Sequence, residues 1–369
     1  MCYVKSVGAF YKANEVLVVF DGYASSTKDH EHIRWGDSGM PEVEITRQNR
    51  LTLTKDKFLT NFKNKDGLIK LLIQVFAEHG IRCEQATTDA DTLIVKRAID
   101  LSSKGAVNVI ANDTDVLVLL LHHRTQFEDF IYLTTDDKTH DICGISAAMS
   151  ETEKKYLLLG HAMSGCDTVS SLFGFGMMRL YDFVTSDSRI PSEFLDVFNH
   201  PGSSIDIISK AGVKVFEILF SKQKQNKKPS VTGARGRGLS IGRSTSRRGR
   251  GSGASSSISV PPPVQSLSNL RYTGYNQICA KGVVRPEILP PTEGAVKQHS
   301  LRDYLQVRDW AELECGFLDP ATYGWRIDNG VFIPIGTLEP IAPGALQNLI
   351  SCACKTGCKN NTCSCRKIV

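Results

Sequence analysis

No run of eighteen apolar residues occurs in the 369-residue chain, and no signal-peptide pattern stands at its start. Neither a membrane-spanning helix nor a cleaved leader is read from it, and a soluble intracellular protein is the expectation. Acid is missing from one long stretch: between Ile218 and Pro286 there are thirteen Lys and Arg and no Asp or Glu. The net charge of +5 therefore sums unlike parts. Removing those thirteen from 44 leaves 31 basic residues against 39 acidic, or −8. Cysteine is sparse outside one place, since five of the eleven lie in the last eighteen residues and six are scattered. That distribution argues against a secreted disulfide framework and for a local metal site. What is ample is hydrophobic content: 41% in a chain long enough for two or more domains supports at least one sizeable core.

Residues Cys83 to Leu121 set carboxylate pairs at both ends of a helix–strand unit. Asp89 and Asp91 follow Thr87 and Thr88, where N-cap chemistry predicts a helix start. Leu93, Ile94, Ala98, Ile99 and Leu101 give that helix an apolar face, and Gly105 ends it. Val107 to Ala111 is a β-branched apolar run suited to a buried parallel strand. Asp113 and Asp115 come at its carboxyl end, where open α/β sheets bind ligands. Four carboxylates brought together repel one another, and the usual remedy is a divalent cation; hard oxygen donors favour Mg²⁺ or Mn²⁺. Two such ions, roughly 3.5–4 Å apart, steady the attacking and leaving oxygens when a phosphodiester is cut. Either pair alone also fits an Asp-rich turn with a capped helix, so the metal reading needs further acids.

Two more are present. Glu15 to Phe20 reads as a strand ending in Asp21-Gly22, with Lys28 and Arg34 following on a short helix. Lys55 to Ala77 is helical, with a break expected near Asp66-Gly67, and Phe130 to Leu133 is another strand. Glu151 to Met163 is an amphipathic helix leading into Ser164-Gly165-Cys166-Asp167. Gly174-Phe175-Gly176 before the next helix fits a tight loop whose backbone N–H groups could hold a DNA phosphate, although a plain turn fits equally. His122, His123 and Arg124 read as a solvated loop, Cys83, Cys143 and Cys166 as buried thiols, and Met177 and Met178 as core.

The chain divides by composition into 1–220, a Lys/Arg/Gly/Ser-rich linker over 221–268, a small module over 269–350 and a cysteine tail over 351–369. The linker cannot bury a core. Its Arg-Gly tract, with Arg235, Arg237, Arg247, Arg248 and Arg250, suits nucleic acid bound through phosphate charge and stacking. A solvated tether, doubling as a nuclear import signal, fits the same residues. In the module a helix is expected from His299 to Leu313. The tail, Cys352, Cys354, Cys358, Cys363 and Cys365, is C-x-C-x3-C-x4-C-x-C, and clustered thiolates point to Zn²⁺.

The tail resembles the first half of a tesmin-type CXC domain, a family that binds zinc and reads DNA with two such halves; here Thr362 stands where the family commonly has Tyr. VFDG at Val19–Gly22, DAD at Asp89–Asp91, DTD at Asp113–Asp115, and SGCD at Ser164–Asp167 followed by GFG together resemble the flap-endonuclease (XPG-type) branch of PIN-like nucleases over about residues 1 to 190. That resemblance implies an α/β, PIN-like three-layer fold with a central, mostly parallel sheet. It implies two Mg²⁺ ions on Asp21, Asp89, Asp91, Asp113, Asp115 and Asp167, with Lys28 and Arg34 clamping the scissile phosphate. It also implies a duplex-gripping loop at Gly174 and Gly176. The family's domain opens with a further Asp-bearing strand, and no such strand precedes VFDG here, so an N-terminally truncated, mobile-element-derived chain is expected. Two functions follow: a Mg²⁺-dependent, structure-selective nuclease on DNA, or a catalytically inactive zinc- and nucleic-acid-binding protein on the same fold, in either case nuclear.

Overall fold

A computed structural model describes residues 2–23, 27–28, 41–49, 54–222, 265–280, 286–313 and 318–339. Arg34, the five linker arginines and the five tail cysteines named above lie outside the described residues.

Local chemistry explains most element boundaries. Helix α1 (Cys2–Phe10) precedes β1 (Leu17–Phe20), the four-residue apolar run LVVF. Helices α2 (Lys55–Thr60) and α3 (Phe62–Glu78) are separated at Asn61, not near Gly67 as expected from sequence. The reason is a cap: the Asn61 side chain accepts from the backbone N–H groups of Lys63 and Asn64, which starts a new helix there. Strand β2 (Arg82–Gln85) pairs with β1 in parallel, Leu17 opposite Arg82 and Phe20 opposite Gln85. Helix α4 (Ala90–Ser102) leads to β3 (Val107–Ile110), which pairs in parallel with β4 (Ile131–Thr134). Between them runs α5 (Thr114–His122), and β5 (Thr139–Asp141) closes the edge antiparallel to β4.

The chain is thus mixed α/β, but among the described residues the strands form small sheets instead of one central sheet. Among the described residues β1–β2 and β3–β4–β5 are not hydrogen-bonded to each other. Each strand is only three or four residues long, and no described strand pairs with both β1 and β3. Helix α4 joins the two sheets by packing on β1 and β3 together.

Most of the described residues are helical. After α6 (Ile142–Ala148), α7 (Glu151–Ser164) begins with a capping box: Ser150 and Glu153 each satisfy the other's backbone N–H. Helices α8 (Met177–Ser186), α9 (Ser192–Asn199) and α10 (Ile205–Lys222) follow. Beyond residues 223–264, α11 (Leu267–Cys279) and α12 (Glu293–Glu312) return to the same core, and β6 (Trp325–Asp328) with β7 (Val331–Pro334) forms a hairpin. Helix α12 starts earlier than the expected His299 because the Thr292 side chain caps it. It packs against α7, α9 and α10 and is buried around most of its circumference. Two of its buried arginines are accommodated by backbone carbonyls: Arg302 donates to Gly324 O and Ile335 O, and Arg308 to Asn199 O.

Candidate active site: an aspartate cluster around Lys28

Four of the six aspartates sit at two helix N-termini. Asp89 is the N-cap of α4 and accepts from Asp91 N–H; Asp113 is the N-cap of α5 and accepts from Asp115 N–H at 2.8 Å. The D-x-D spacing thereby serves two purposes, since the first acid caps and the second lies in the first turn, where the helix dipole favours it. Asp21, at the end of β1, adds a third contact to α4 by accepting from Ala90 N–H at 3.2 Å. Gly22 makes this approach possible: a Cβ there would stand 2.1 Å from Ala86 O and 2.2 Å from Thr87 O.

Asp167 arrives from a different direction. Helix α7 ends at Gly165, whose φ of +100° and whose contact with Ser171 suit only glycine. A turn closed by Cys166 and Val169 then presents Asp167 to solvent. Neighbouring Cys166 is an inert thiol, pushed up to about 11 by burial.

Lys28 draws these elements together. Its Nζ lies 2.8 Å from Asp89 Oδ2, 3.3 Å from Asp167 Oδ2 and 3.7 Å from Asp91 Oδ2. Burial alone would favour the neutral amine, yet Asp89, Asp91 and Asp167 outweigh it and raise the Lys28 pKa. One ammonium does not balance the set. Asp91, 8% exposed, is pushed up to about 8 by burial first, then by the Asp89, Asp113 and Asp115 charges, against the pull of Lys28. Asp113 is raised by burial and by Asp115 and Asp167. Five acids therefore share one electrostatic site, and Asp21 borders it through α4.

Sequence reasoning did not single out His161. It lies on α7 in the apolar run LLLGHAM, is 5% exposed, and its Nε2 stands 2.6 Å from Asp115 Oδ1. The available signal was an ionisable side chain inside a helix segment buried from Tyr156 to Ser164, which needs a polar partner. His122 and His123 also differ from expectation. His123 is 2% exposed, with Nε2 2.9 Å from Trp310 O, because α12 covers it.

Gly174 and Gly176 lie at the N-terminus of α8, with open space around each; Arg179 donates to Gly174 O and stacks over Phe175. Phe175 is buried and anchors the loop, whereas Met178, expected in the core, is exposed.

The donors around Lys28 are all oxygens carrying surplus negative charge, which fits a hard divalent cation in chemistry. Among the described residues, however, no three His, Cys, Asp or Glu side chains form a ready metal-binding group. Among the described residues, Lys28 supplies the counter-charge to Asp89, Asp91 and Asp167.

No protein-family model matches the chain, and no curated protein matches it significantly. Among solved structures it is similar to the bacteriophage T5 D15 flap endonuclease, in a crystal structure of a pseudo-enzyme–product complex with DNA and metal ions. The match covers 56% of this chain and 72% of that one, at 14% identity and a TM-score of 0.34.

Proposed function

We propose that the chain is a Mg²⁺- or Mn²⁺-dependent, structure-selective nuclease acting on DNA through the Asp89, Asp91, Asp113, Asp115 and Asp167 set, with Asp21 at its edge. The observation that carries this reading is the Asp91 carboxyl. It is buried among three other acids and one lysine, so its anionic form lacks sufficient counter-charge. A divalent cation held by these acids would supply that charge and steady the oxygens of a phosphodiester. The chain's own contributions are distinct. The helix N-termini of α4 and α5 fix the two D-x-D pairs, and Lys28 offers a cation to a phosphate oxygen once a metal shares its carboxylates. The linker arginines and the α8 N-terminus supply backbone affinity, and the basic tract directs the chain to the nucleus. The tail cysteines hold Zn²⁺.

The test is cutting of a 5′-flap or single-stranded DNA in Mg²⁺ by the full chain and by Asp113→Ala. Cutting by the wild type that falls to background in the variant supports the proposal. A second reading is a zinc- and nucleic-acid-binding protein without catalysis, favoured by the ion pairs through which Lys28 already engages three of the acids. Equal background rates from both chains, with DNA still bound, would leave only that reading.

A further inference from the structure

Asp115 is held from the side opposite the solvent by an imidazole. A carboxylate only accepts, so at 2.6 Å His161 Nε2 must be the donor to Asp115 Oδ1. The ring has little freedom of its own. It lies 24° from parallel with the Trp310 indole, centroids 5.3 Å apart. Trp310 is 2% exposed, and its carbonyl faces His123 Nε2 at 2.9 Å, while His123 Nδ1 meets Gln126 at 2.8 Å. The same helix, α12, reaches the loop of the other distant acid, where Gln306 is hydrogen-bonded to Thr168, the residue after Asp167.

We infer that His161 is a positioning residue: its Nε2–H fixes the Asp115 carboxylate, and Trp310, carried on α12 from beyond residues 223–264, fixes the imidazole. The energetics support this assignment. His161 Nδ1 is buried with no hydrogen-bond partner among the described residues, so the imidazole costs stability that an apolar ring in the same place would not. What the imidazole supplies is the bond to Asp115. With one oxygen committed there, Asp115 offers the other in a defined direction, which is how supporting hydrogen bonds order a ligand carboxylate. Helix α12 thereby belongs to the site's framework although it contributes no acid to it. The inference rests on the nuclease reading only for what Asp115 is positioned to do.

The experiment uses the full chain with two substitutions. His161→Phe keeps a ring against Trp310 and removes the donor, while His161→Gln places an amide nitrogen near the position of Nε2. Mn²⁺ affinity is measured by titration calorimetry, beside thermal unfolding in EDTA and DNA cutting. His161→Phe should weaken Mn²⁺ binding by about 10- to 100-fold while still unfolding cooperatively in EDTA. His161→Gln should stay close to wild type in all three. Should His161→Phe not fold, His161→Asn, whose shorter amide stops short of Asp115, takes its place and should lose affinity where Gln keeps it. Equal Mn²⁺ binding by wild type and His161→Phe, or a loss in Gln as large as that in Phe, overturns the inference alone. A wild-type chain that neither binds Mn²⁺ nor cuts DNA overturns it together with the function proposed above.

Discussion

Lys28 Nζ stands 2.8 Å from Asp89 Oδ2, and both side chains are shielded, at 16% and 10% exposure. A cation and a lysine are alternative counter-charges for the same carboxylates. Replacing Lys28 by Met should therefore strand buried charge and destabilise the chain by about 3 kcal/mol in EDTA. Millimolar Mg²⁺ or Mn²⁺ should restore most of that loss and should raise the melting temperature of Lys28→Met more than that of the wild type. Thermal unfolding of both chains with and without divalent ion checks this, and equal responses to the ion would refute it.

Gly22 is where β1 hands its chain to the site. A Cβ at that position meets two backbone carbonyls, Ala86 O and Thr87 O, neither of which can rotate away as a side chain would. Gly22→Ala should cost about 1–3 kcal/mol or more, the range of overpacked positions. Gly176→Ala meets nothing within 4 Å and has an ordinary φ of −83°, so it should lie within about 0.5 kcal/mol of wild type. Urea unfolding of the two variants orders them, and similar losses would mean that the Gly22 contact is relieved by movement of the β1 end.

Much of this site was readable because capping chemistry is local. The Thr87 to Asp91 run announces a helix start whatever the rest of the chain does, and Val107 to Ile110 announces a strand. Helix α5 was less visible: VLVLLL after Asp115 is uniformly apolar, and such a run has no period to distinguish helix from strand. His161 and His123 were invisible for another reason. Each is explained by Trp310, nearly 150 residues or more further along the chain, and nothing local reports a contact across that separation. The same applies to Arg302 and Arg308 of α12, which look like a solvated face until the carbonyls of Gly324, Ile335 and Asn199 are seen to receive them.

Helix α12 also holds a group that should be felt in the pH dependence of stability. Asp303 is 0% exposed; neither carboxyl oxygen has a hydrogen-bond partner among the described residues, although His299 Nε2 is 3.5 Å away. Burial raises the Asp303 pKa well above the usual carboxylate value, against a smaller pull from Arg302. The sign follows from linkage. The folded chain holds the Asp303 proton more tightly, so this contribution to stability is complete below about pH 4 and is lost as pH rises towards the folded value. His299 acts oppositely: burial lowers it to about 3, so its contribution is present above about pH 6.5 and is lost as pH falls. Asp303→Asn removes only the first effect. The variant should be more stable than wild type by about 1–2 kcal/mol at pH 7, with the advantage vanishing near pH 4. A constant difference from pH 4 to 8 in urea unfolding would show that Asp303 is ionised in the fold.

The tail and the aspartate cluster should behave as chemically separate metal sites. Cys352, Cys354, Cys358, Cys363 and Cys365 offer soft thiolates, which select Zn²⁺, whereas the acids around Lys28 offer only hard oxygens. Elemental analysis of the purified full chain should find about one zinc, because four thiolates complete a tetrahedral ion and one cysteine remains over. Cys354→Ser should lower that content, and a nitrogen-donor chelator that strips Zn²⁺ but ignores Mg²⁺ should remove the rest. Neither treatment should change the Mg²⁺-dependent rise in melting temperature predicted for Lys28→Met, since that rise belongs to the acids. If stripping zinc abolished it, the two metals would share one folding unit, and the tail could no longer be treated as an independent module.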